Sequence, residues 1–200
     1  AFTNREGFSI IYHMKTELLF DTIIENFIKL KKQSTLLDDI AKTWIASLEQ
    51  GNTVIFCGNG GSAADSQHLS AELVGRYKKN RSALAALSLT VDTSAITAIA
   101  NDFGYEHVFA RQLEGVGKKG DCLVGISTSG NSQNIINAFL KAKEMGIKTV
   151  AFTGEHGGKM KELADICLNV PSTVTNSVQE MHIACGHILC EIVENHFFAD

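Results

Sequence analysis

The sequence predicts an α/β domain in which a five-stranded parallel sheet is flanked by helices and preceded by a pair of N-terminal helices. Short apolar runs, each suited to a buried strand, alternate along the chain with longer stretches of helical periodicity. Strands separated by helices pair in parallel, with helices on both faces of the sheet. The chain of 200 residues is long enough for one such domain with its own core. We therefore expect a single domain over residues 1–200.

Two helices are predicted before the first strand, within residues 12–51. Apolar residues recur at helical spacing from about Tyr12 to Lys32. A second helix is expected to begin at Ser34 or Thr35, with Asp38 completing a pattern close to a capping box. Both helices have broad apolar faces, which predicts contact with a partner subunit as well as with their own sheet. A helical cap on a single domain is the alternative.

The remainder of the chain, residues 53–200, alternates between strand and helix. Strands are predicted at about 53–57, 84–89, 121–126, 148–152 and 166–170. Helices are predicted at about 63–74, 92–100, 105–116, 133–145, 159–164 and 176–197. In parallel sheets of this kind, ligands bind at the carboxyl ends of the strands. The loops at those ends are therefore predicted to form the ligand-binding site.

The first predicted strand continues into a glycine-rich loop at 58–62 and then into a helix. This order directs backbone N–H groups and the positive end of a helix at one point, which suits an anion such as phosphate. The same helix carries His68 and Glu72, which share a face because they are four residues apart. Such a pair is usually only a surface contact. Beside an anion site, it indicates chemistry on a phosphorylated small molecule.

A second loop of the same kind follows the third predicted strand. Four of its six residues carry hydroxyl groups (Ser127, Thr128, Ser129 and Ser132), and Gly130 lies among them. Hydroxyl groups donate hydrogen bonds without adding bulk, and glycine lets the backbone approach a ligand. Serine-rich turns are also ordinary helix caps, but two such loops at strand ends favour a phosphate site. Neither loop matches a P-loop or a GxGxxG motif, so no nucleotide is predicted.

Composition and charge narrow the possible partners. A net charge of −4 gives no support for a nucleic-acid surface, and the basic residues at 76, 78, 79 and 81 are interpreted as a solvated loop. No apolar run approaches the roughly 18 residues of a membrane span, and no signal-peptide pattern is present. The five cysteines are an odd number without a CxxC pair. We expect a cytoplasmic, reduced protein with no nucleic-acid or membrane partner.

Taken together, these motifs resemble the sugar isomerase (SIS) fold family. Within that family the chain is similar to the phosphoheptose isomerases, also called sedoheptulose 7-phosphate isomerases, over nearly its whole length. The segments that carry the likeness are 57–62, 67–68, 72–77, 101–104, 125–132 and 179–183. The serine-rich loop alone marks only the fold. The combination of His68, Glu72, Gln179 and His187 is far more specific.

The resemblance implies an isomerase that converts sedoheptulose 7-phosphate to D-glycero-D-manno-heptose 7-phosphate through an enediol, the first step of bacterial heptose biosynthesis for lipopolysaccharide or capsule. It implies Glu72 as the base and His187 as the partner acid or base. It implies that the phosphate is held by Ser62, Ser127, Ser129 and Ser132. The remaining substrate contacts that it implies are Asn59, Gly60, Gly61, Glu72, Asn101, Asp102, Thr128 and Gln179.

The resemblance also implies one zinc ion per subunit, with His68, Glu72, Gln179 and His187 as ligands, and a homotetramer. Gln179 and His187 are eight residues apart, or about 12 Å along a regular helix, so one straight helix can hardly bring both to one ion. Either the helix distorts near Gly186, or the two ligands come from different subunits. We favour the second arrangement, a site completed at a subunit interface. Whether Glu72 acts as base, metal ligand or both stays open, because zinc binding weakens a carboxylate as a base.

Two alternatives remain at the level of the sequence. The bacterial DnaA initiator-associating protein shares the fold and much of the loop pattern but is a binding module without catalysis. That family lacks the acidic residue and the histidine that match Glu72 and His187. An SIS enzyme that acts on another phosphosugar, such as an amino-sugar phosphate, would use the same loops. The family often has an arginine where this chain has Ser177, a difference that concerns the charge of the site entrance.

Overall fold

Two long helices precede the sheet, as the apolar periodicity predicts. In the computed structural model, which describes residues 5–199 and only the backbone of 5–14, α1 spans Arg5–Leu30 and α2 spans Ser34–Glu49. A short 3₁₀ turn joins the two helices.

The predicted capping box at the start of α2 is wrong. The backbone of Ser34 is itself helical, with φ −54° and ψ −43°, and no side chain caps α2. A capping residue needs an extended backbone. The 3₁₀ turn keeps the chain helical between α1 and α2, so no extended residue is available to cap the second helix.

Five parallel strands form one sheet in the order β2-β1-β3-β4-β5, which confirms the predicted fold class. The strands are β1 Val54–Gly58, β2 Ala86–Ser88, β3 Cys122–Ser127, β4 Lys148–Thr153 and β5 Ile166–Asn169. The helices that follow are α3 Gly61–Val74, α4 Thr93–Phe103, α5 Val108–Val116, α6 Gln133–Met145, α7 Gly158–Leu163 and α8 Thr175–Phe197. The strand order reverses between β1 and β3, so the loops after these two strands flank the point where sheets of this kind bind ligands.

The glycine-rich loop after β1 is shorter than the predicted 58–62. Gly58 is the last residue of β1 and Gly61 the first of α3, so only Asn59 and Gly60 connect them. Gly60 has a φ of +57°, and a Cβ on Gly58 would collide with the backbone of Ser62. The glycines are needed because the strand turns directly into the helix.

Apolar clusters cover the two faces of the sheet. On one face α2, α3 and α8 pack around Trp44 and Phe56, whose rings meet edge to face at 5.4 Å. On the other face α5, α6 and α7 pack around Phe109 and Phe139. Among the described residues, no helix combines the length and the hydropathy that crossing a membrane requires.

The basic segment after α3 is not the solvated loop that the sequence suggests. Arg76 and Lys78 are exposed, but the side chain of Arg81 is only 1% exposed and pairs with Glu194 of α8. Charge alone does not reveal this difference, because the partner carboxylate lies more than a hundred residues away in the sequence.

His182 on α8 is a core histidine, as its apolar neighbours in the sequence indicate. Its side chain is fully buried, and its Nε2 lies 3.1 Å from the backbone oxygen of Thr153, to which it donates a hydrogen bond in the Nε2–H tautomer. Its Nδ1 has no hydrogen-bond partner among the described residues. Burial lowers the pKa of His182 to about 4, against the opposing effect of the Thr153 bond.

We expect acidification from pH 7 to pH 5 to lower the free energy of unfolding by about 2 kcal/mol through His182 alone. In the unfolded chain His182 binds a proton below its usual pKa of 6.5, whereas in the folded chain its side chain stays neutral down to about pH 4. Urea unfolding of the wild type, His182→Gln and the exposed control His156→Gln at both pH values measures the effect. A His182→Gln variant that loses as much stability as the wild type would contradict it.

Candidate active site

Helices α3 and α8 bring three of the predicted site residues together in one chain. His68 Nε2 lies 3.0 Å from Glu72 Oε1 and 3.2 Å from His187 Nε2. One possible ligand atom from each of the three residues lies within 4.8 Å of the other two. The helices approach closely because Gly186 has no side chain, since a Cβ there would collide with the side chain of Leu69. We refer to His68, Glu72 and His187 as the His–Glu–His cluster.

The structure does not bring Gln179 to this cluster within one chain. Helix α8 is unbroken past Gly186, so the predicted alternative of a distorted helix is wrong. The amide of Gln179 instead lies against Gly61, at the start of α3, where an added Cβ would be 2.6 Å from Gln179 Nε2. Gln179 is therefore about 12 Å from His187 along α8. The neighbouring Ser177 is buried at 5% exposure, so this position does not face an entrance within this chain.

The hydroxyl groups of the serine-rich loop after β3 converge. Ser127 Oγ lies 2.9 Å from Ser132 Oγ and 3.5 Å from Ser129 Oγ. Ser132 immediately precedes α6. The free N–H groups and the positive end of this helix therefore lie at the end of the same loop. Since the three hydroxyl groups can rotate their protons toward a ligand, this loop suits a phosphate group.

The segment after β4 packs against the serine-rich loop. Gly130, at φ +65°, packs against the backbone of Gly157, with which an added Cβ would collide. The N–H of Gly154 donates to the oxygen of Thr128, and the N–H of Met160 donates to the oxygen of Gly130. The shape of the serine-rich loop thus depends on the segment that runs from the end of β4 into α7.

The short loop after β1 is tied through Asn59 to the first turn of α6, the helix that follows the serine-rich loop. Asn59 Nδ2 donates to Asn134 Oδ1 at 3.0 Å, and Asn134 Nδ2 donates back to Asn59 Oδ1 at 2.8 Å. The hydroxyl of Tyr105 also donates to Asn59 Oδ1, at 3.0 Å. Ser62, only 3% exposed, lies in the first turn of α3 beside this pair. The structure thus adds Asn134 and Tyr105 to the residues around Asn59. The sequence does not indicate them, because only tertiary packing brings residues so far apart in the chain together.

Asn101 and Asp102 lie on the exposed last turn of α4. The amide of Asn101 donates to the carboxylate of Asp102 at 2.8 Å. Among the described residues, no hydrogen bond joins either side chain to the His–Glu–His cluster. Their predicted contact with the sugar stays a prediction.

Two further side chains adjoin the cluster and were not predicted. Asp65 lies three residues before His68, and its Oδ2 is buried without a hydrogen-bond partner among the described residues. Burial raises the pKa of Asp65 to about 6, and nearby His68 partly opposes this shift. The ring of Tyr77 lies 5.8 Å from the ring of His187. The i, i+3 spacing of Asp65 and His68 could have signalled Asp65. Tyr77 lies in the segment 72–77 that carries the family likeness, but no pattern points to its place beside His187.

Comparison with known proteins shows the family to which the chain belongs. Residues 20–154 match the SIS domain family model. The phosphoheptose isomerase of Akkermansia muciniphila is 58% identical over 176 residues, covering 88% of this chain and 93% of the relative.

Two solved structures share the fold at recognisable sequence identity. The phosphoheptose isomerase of Neisseria gonorrhoeae superposes with a TM-score of 0.87 at 39% identity, over 92% of this chain and 99% of that one. The phosphoheptose isomerase of Francisella tularensis gives a TM-score of 0.89 at 34% identity, over 92% and 98%. The chain belongs to the SIS domain family and, within it, to the phosphoheptose isomerases.

Proposed function

We propose that this chain is the isomerase that converts sedoheptulose 7-phosphate to D-glycero-D-manno-heptose 7-phosphate, at the entry to heptose biosynthesis. The observation that carries the proposal is the His–Glu–His cluster. It is built by two helices that each begin after the carboxyl end of a strand, α3 after β1 and α8 after β5. The isomerase names of the relatives favour an enzyme over the non-enzymatic binding module.

The substrate is a ketose with its carbonyl at C2, and the product is an aldose with its carbonyl at C1. The serine-rich loop holds the phosphate and so fixes the position of the other end of the sugar. Glu72 removes a proton from C1 while His187 supplies one to the C2 oxygen, which leaves an enediol. The proton must come from a ring nitrogen of His187 that holds no metal. Return of a proton to C2 and loss of the proton on the C1 oxygen complete the aldose. No electrons leave the sugar, so no redox partner is needed.

The cluster also fits a divalent metal, and by resemblance we propose zinc. Histidine nitrogen and carboxylate oxygen are ordinary zinc ligands, and bonds of about 2.0–2.1 Å place neighbouring ligands of a tetrahedral site roughly 3.3 Å apart. The observed separations of 3.0 Å and 3.2 Å between the ligand atoms are close to that spacing. When bound, the metal would polarise the sugar carbonyl as a Lewis acid. His68, Glu72 and His187 of one subunit would hold the metal. The fourth ligand would be a Gln179 side chain.

We propose that this Gln179 comes from a neighbouring subunit of a homotetramer. The straight course of α8 keeps the chain's own Gln179 away from its cluster. A row of apolar side chains on α1 is at least 54% exposed: Leu18, Leu19, Phe20, Ile24 and Ile28. Ile188, which follows His187 directly, is 45% exposed. Exposed apolar surface on α1, and at Ile188 next to the cluster, supports a subunit contact.

We also propose that the enzyme acts in the cytoplasm. All five cysteines are free thiols, and four of them are buried. Unpaired cysteines are typical of proteins in reducing compartments.

The serine-rich loop offers a test of phosphate binding. We expect Gly130→Ala to raise KM for sedoheptulose 7-phosphate at least about tenfold, because the added methyl group collides with the backbone of Gly157 and moves the hydroxyl groups. Gly51→Ala is the matched control, since Gly51 also has a positive φ but has open space around it. Steady-state kinetics that show the same KM for both variants would contradict this role of the loop.

Substrate profiling tests the proposed function itself. The purified protein is given sedoheptulose 7-phosphate and a set of other phosphosugars that includes amino-sugar phosphates, and products are identified by NMR. We expect the highest kcat/KM with the seven-carbon ketose. A higher value with an amino-sugar phosphate would assign the enzyme to another substrate, and no turnover of any sugar would favour the binding module.

A further inference from the structure

We infer that the buried ion pair between Arg81 and Glu194 is a positioning device that holds Glu72 and His187 at their working separation. This inference rests on the proposed function, and it concerns two residues that do not touch the substrate. The side chains of Arg81 and Glu194 are 1% and 2% exposed, and Arg81 Nε lies 2.9 Å from Glu194 Oε1. The pair connects the end of α3 to α8, the two helices that carry the His–Glu–His cluster.

Arg81 binds the backbone of the catalytic helix directly. Its two terminal nitrogens donate to the oxygen of Glu72 at 2.9 Å and to the oxygen of Leu73 at 2.8 Å. These oxygens belong to the last turn of α3, where backbone oxygens have no partner within the helix. The guanidinium group therefore caps α3 at the residue proposed as the base.

Glu194 lies on α8 seven residues after His187, almost two full turns, and therefore close to the same face of the helix. Its carboxylate accepts backbone N–H bonds from Tyr77, Lys78 and Lys79 at 2.8–3.0 Å, in addition to the bond from Arg81. Four donors on two oxygens satisfy the carboxylate.

These bonds also place Tyr77. The three N–H donors belong to consecutive residues of the segment after α3, so one carboxylate folds this segment onto α8. The Tyr77 ring is thereby held 5.8 Å from the His187 ring. Glu194 thus fixes two neighbours of the cluster at once, the end of α3 and the tyrosine beside His187.

Stability alone gives no reason for such a pair. Burying two charges costs so much solvation that apolar replacements of similar volume are often as stable. Apart from the bond between the two side chains and one from Arg81 to the adjacent Ser82 oxygen, the bonds of the pair go to the backbone at the end of α3 and in the segment that begins at Tyr77. Burial would raise the pKa of Glu194, but the backbone donors and Arg81 outweigh it and lower the pKa, so the carboxylate stays charged at neutral pH.

The chain provides a matched control one turn away. Lys78 and Glu191 join the same segment to the same helix at 2.7 Å, but their side chains are 59% and 43% exposed. An exposed pair of this kind contributes little to structure. Glu191→Gln should therefore leave both catalysis and metal binding at wild-type levels.

The test compares Glu194→Gln, Arg81→Lys and Glu191→Gln with the wild type. Arg81→Lys keeps the charge but loses the fork that reaches Glu72 and Leu73. We expect kcat for sedoheptulose 7-phosphate to fall at least about tenfold in the first two variants with KM within about twofold, because the phosphate loop is separate. Titration with Co²⁺, followed by its visible absorption, should show metal affinity at least about tenfold weaker in the same two.

Circular dichroism identifies the variants that fold, and Arg81→Lys decides the matter if Glu194→Gln does not fold. A folded variant with wild-type kcat and wild-type Co²⁺ affinity would overturn the inference, as would a rise in KM with kcat unchanged. If the wild type does not turn over sedoheptulose 7-phosphate, the Co²⁺ titration decides alone, because it needs no substrate. If the wild type binds no Co²⁺, the kcat comparison decides. Failure of the inference is thus separable from failure of the proposed function.

Discussion

Replacing Glu72 by glutamine is expected to lower kcat for sedoheptulose 7-phosphate by about 10³-fold, within the range for loss of a general base. Glutamine has the shape of glutamate and can still bond to His68, but it cannot accept the proton from C1. KM should change little, because the serine-rich loop and Asn59 are untouched. Steady-state kinetics on the purified variant measure both constants.

Glu49→Gln is the matched control for this prediction. Glu49 Oε1 lies 2.8 Å from His196 Nε2, so it forms the same kind of His–Glu contact on an exposed part of the surface. The control should retain wild-type kcat. If Glu72→Gln retained kcat within about tenfold of the wild type, Glu72 would not be the base, and its role would be limited to holding a metal.

Mixing two inactive variants is expected to restore activity. Gln179→Ala and His187→Ala should each lose most turnover, because each removes one proposed ligand. If every site takes Gln179 from one subunit and the His–Glu–His cluster from another, random co-assembly leaves about a quarter of the sites intact. The separation of about 12 Å along an unbroken α8 is the physical reason to expect a shared site.

The experiment co-expresses the two variants with different affinity tags and assays the doubly purified oligomer. The control is each variant co-expressed with itself under both tags, which should stay inactive. Mixed oligomers no more active than the single variants would show that all ligands act within one chain. A fully active Gln179→Ala variant would show that Gln179 is not a ligand.

Much of the fold follows from local patterns. Every predicted strand is present, because a strand buried on both faces is a short apolar run that differs clearly from an amphipathic helix. The errors lie at the ends of elements. Ser34 is a good capping residue that is not used, since the 3₁₀ turn before it keeps the backbone helical. Bends of this kind depend on packing between helices, which periodicity does not describe.

The site was only partly accessible from the sequence. The spacing of His68 and Glu72 places them on one face of a helix without further information. His187 joins them only through the packing of α8 against α3, which Gly186 permits, so the residues alone gave no reason to prefer it over a core histidine. Arg81 shows the same limit. Within a run of basic residues it looks solvated, and only the tertiary structure pairs it with Glu194.

The most direct test of the account is conversion of sedoheptulose 7-phosphate by the wild-type protein in D₂O, followed by NMR of the product. Proton transfer through an enediol with Glu72 as an exchangeable base predicts D-glycero-D-manno-heptose 7-phosphate with deuterium at C2 in at least part of the product. Product formed without any deuterium at C2, or no product at all, would contradict the account.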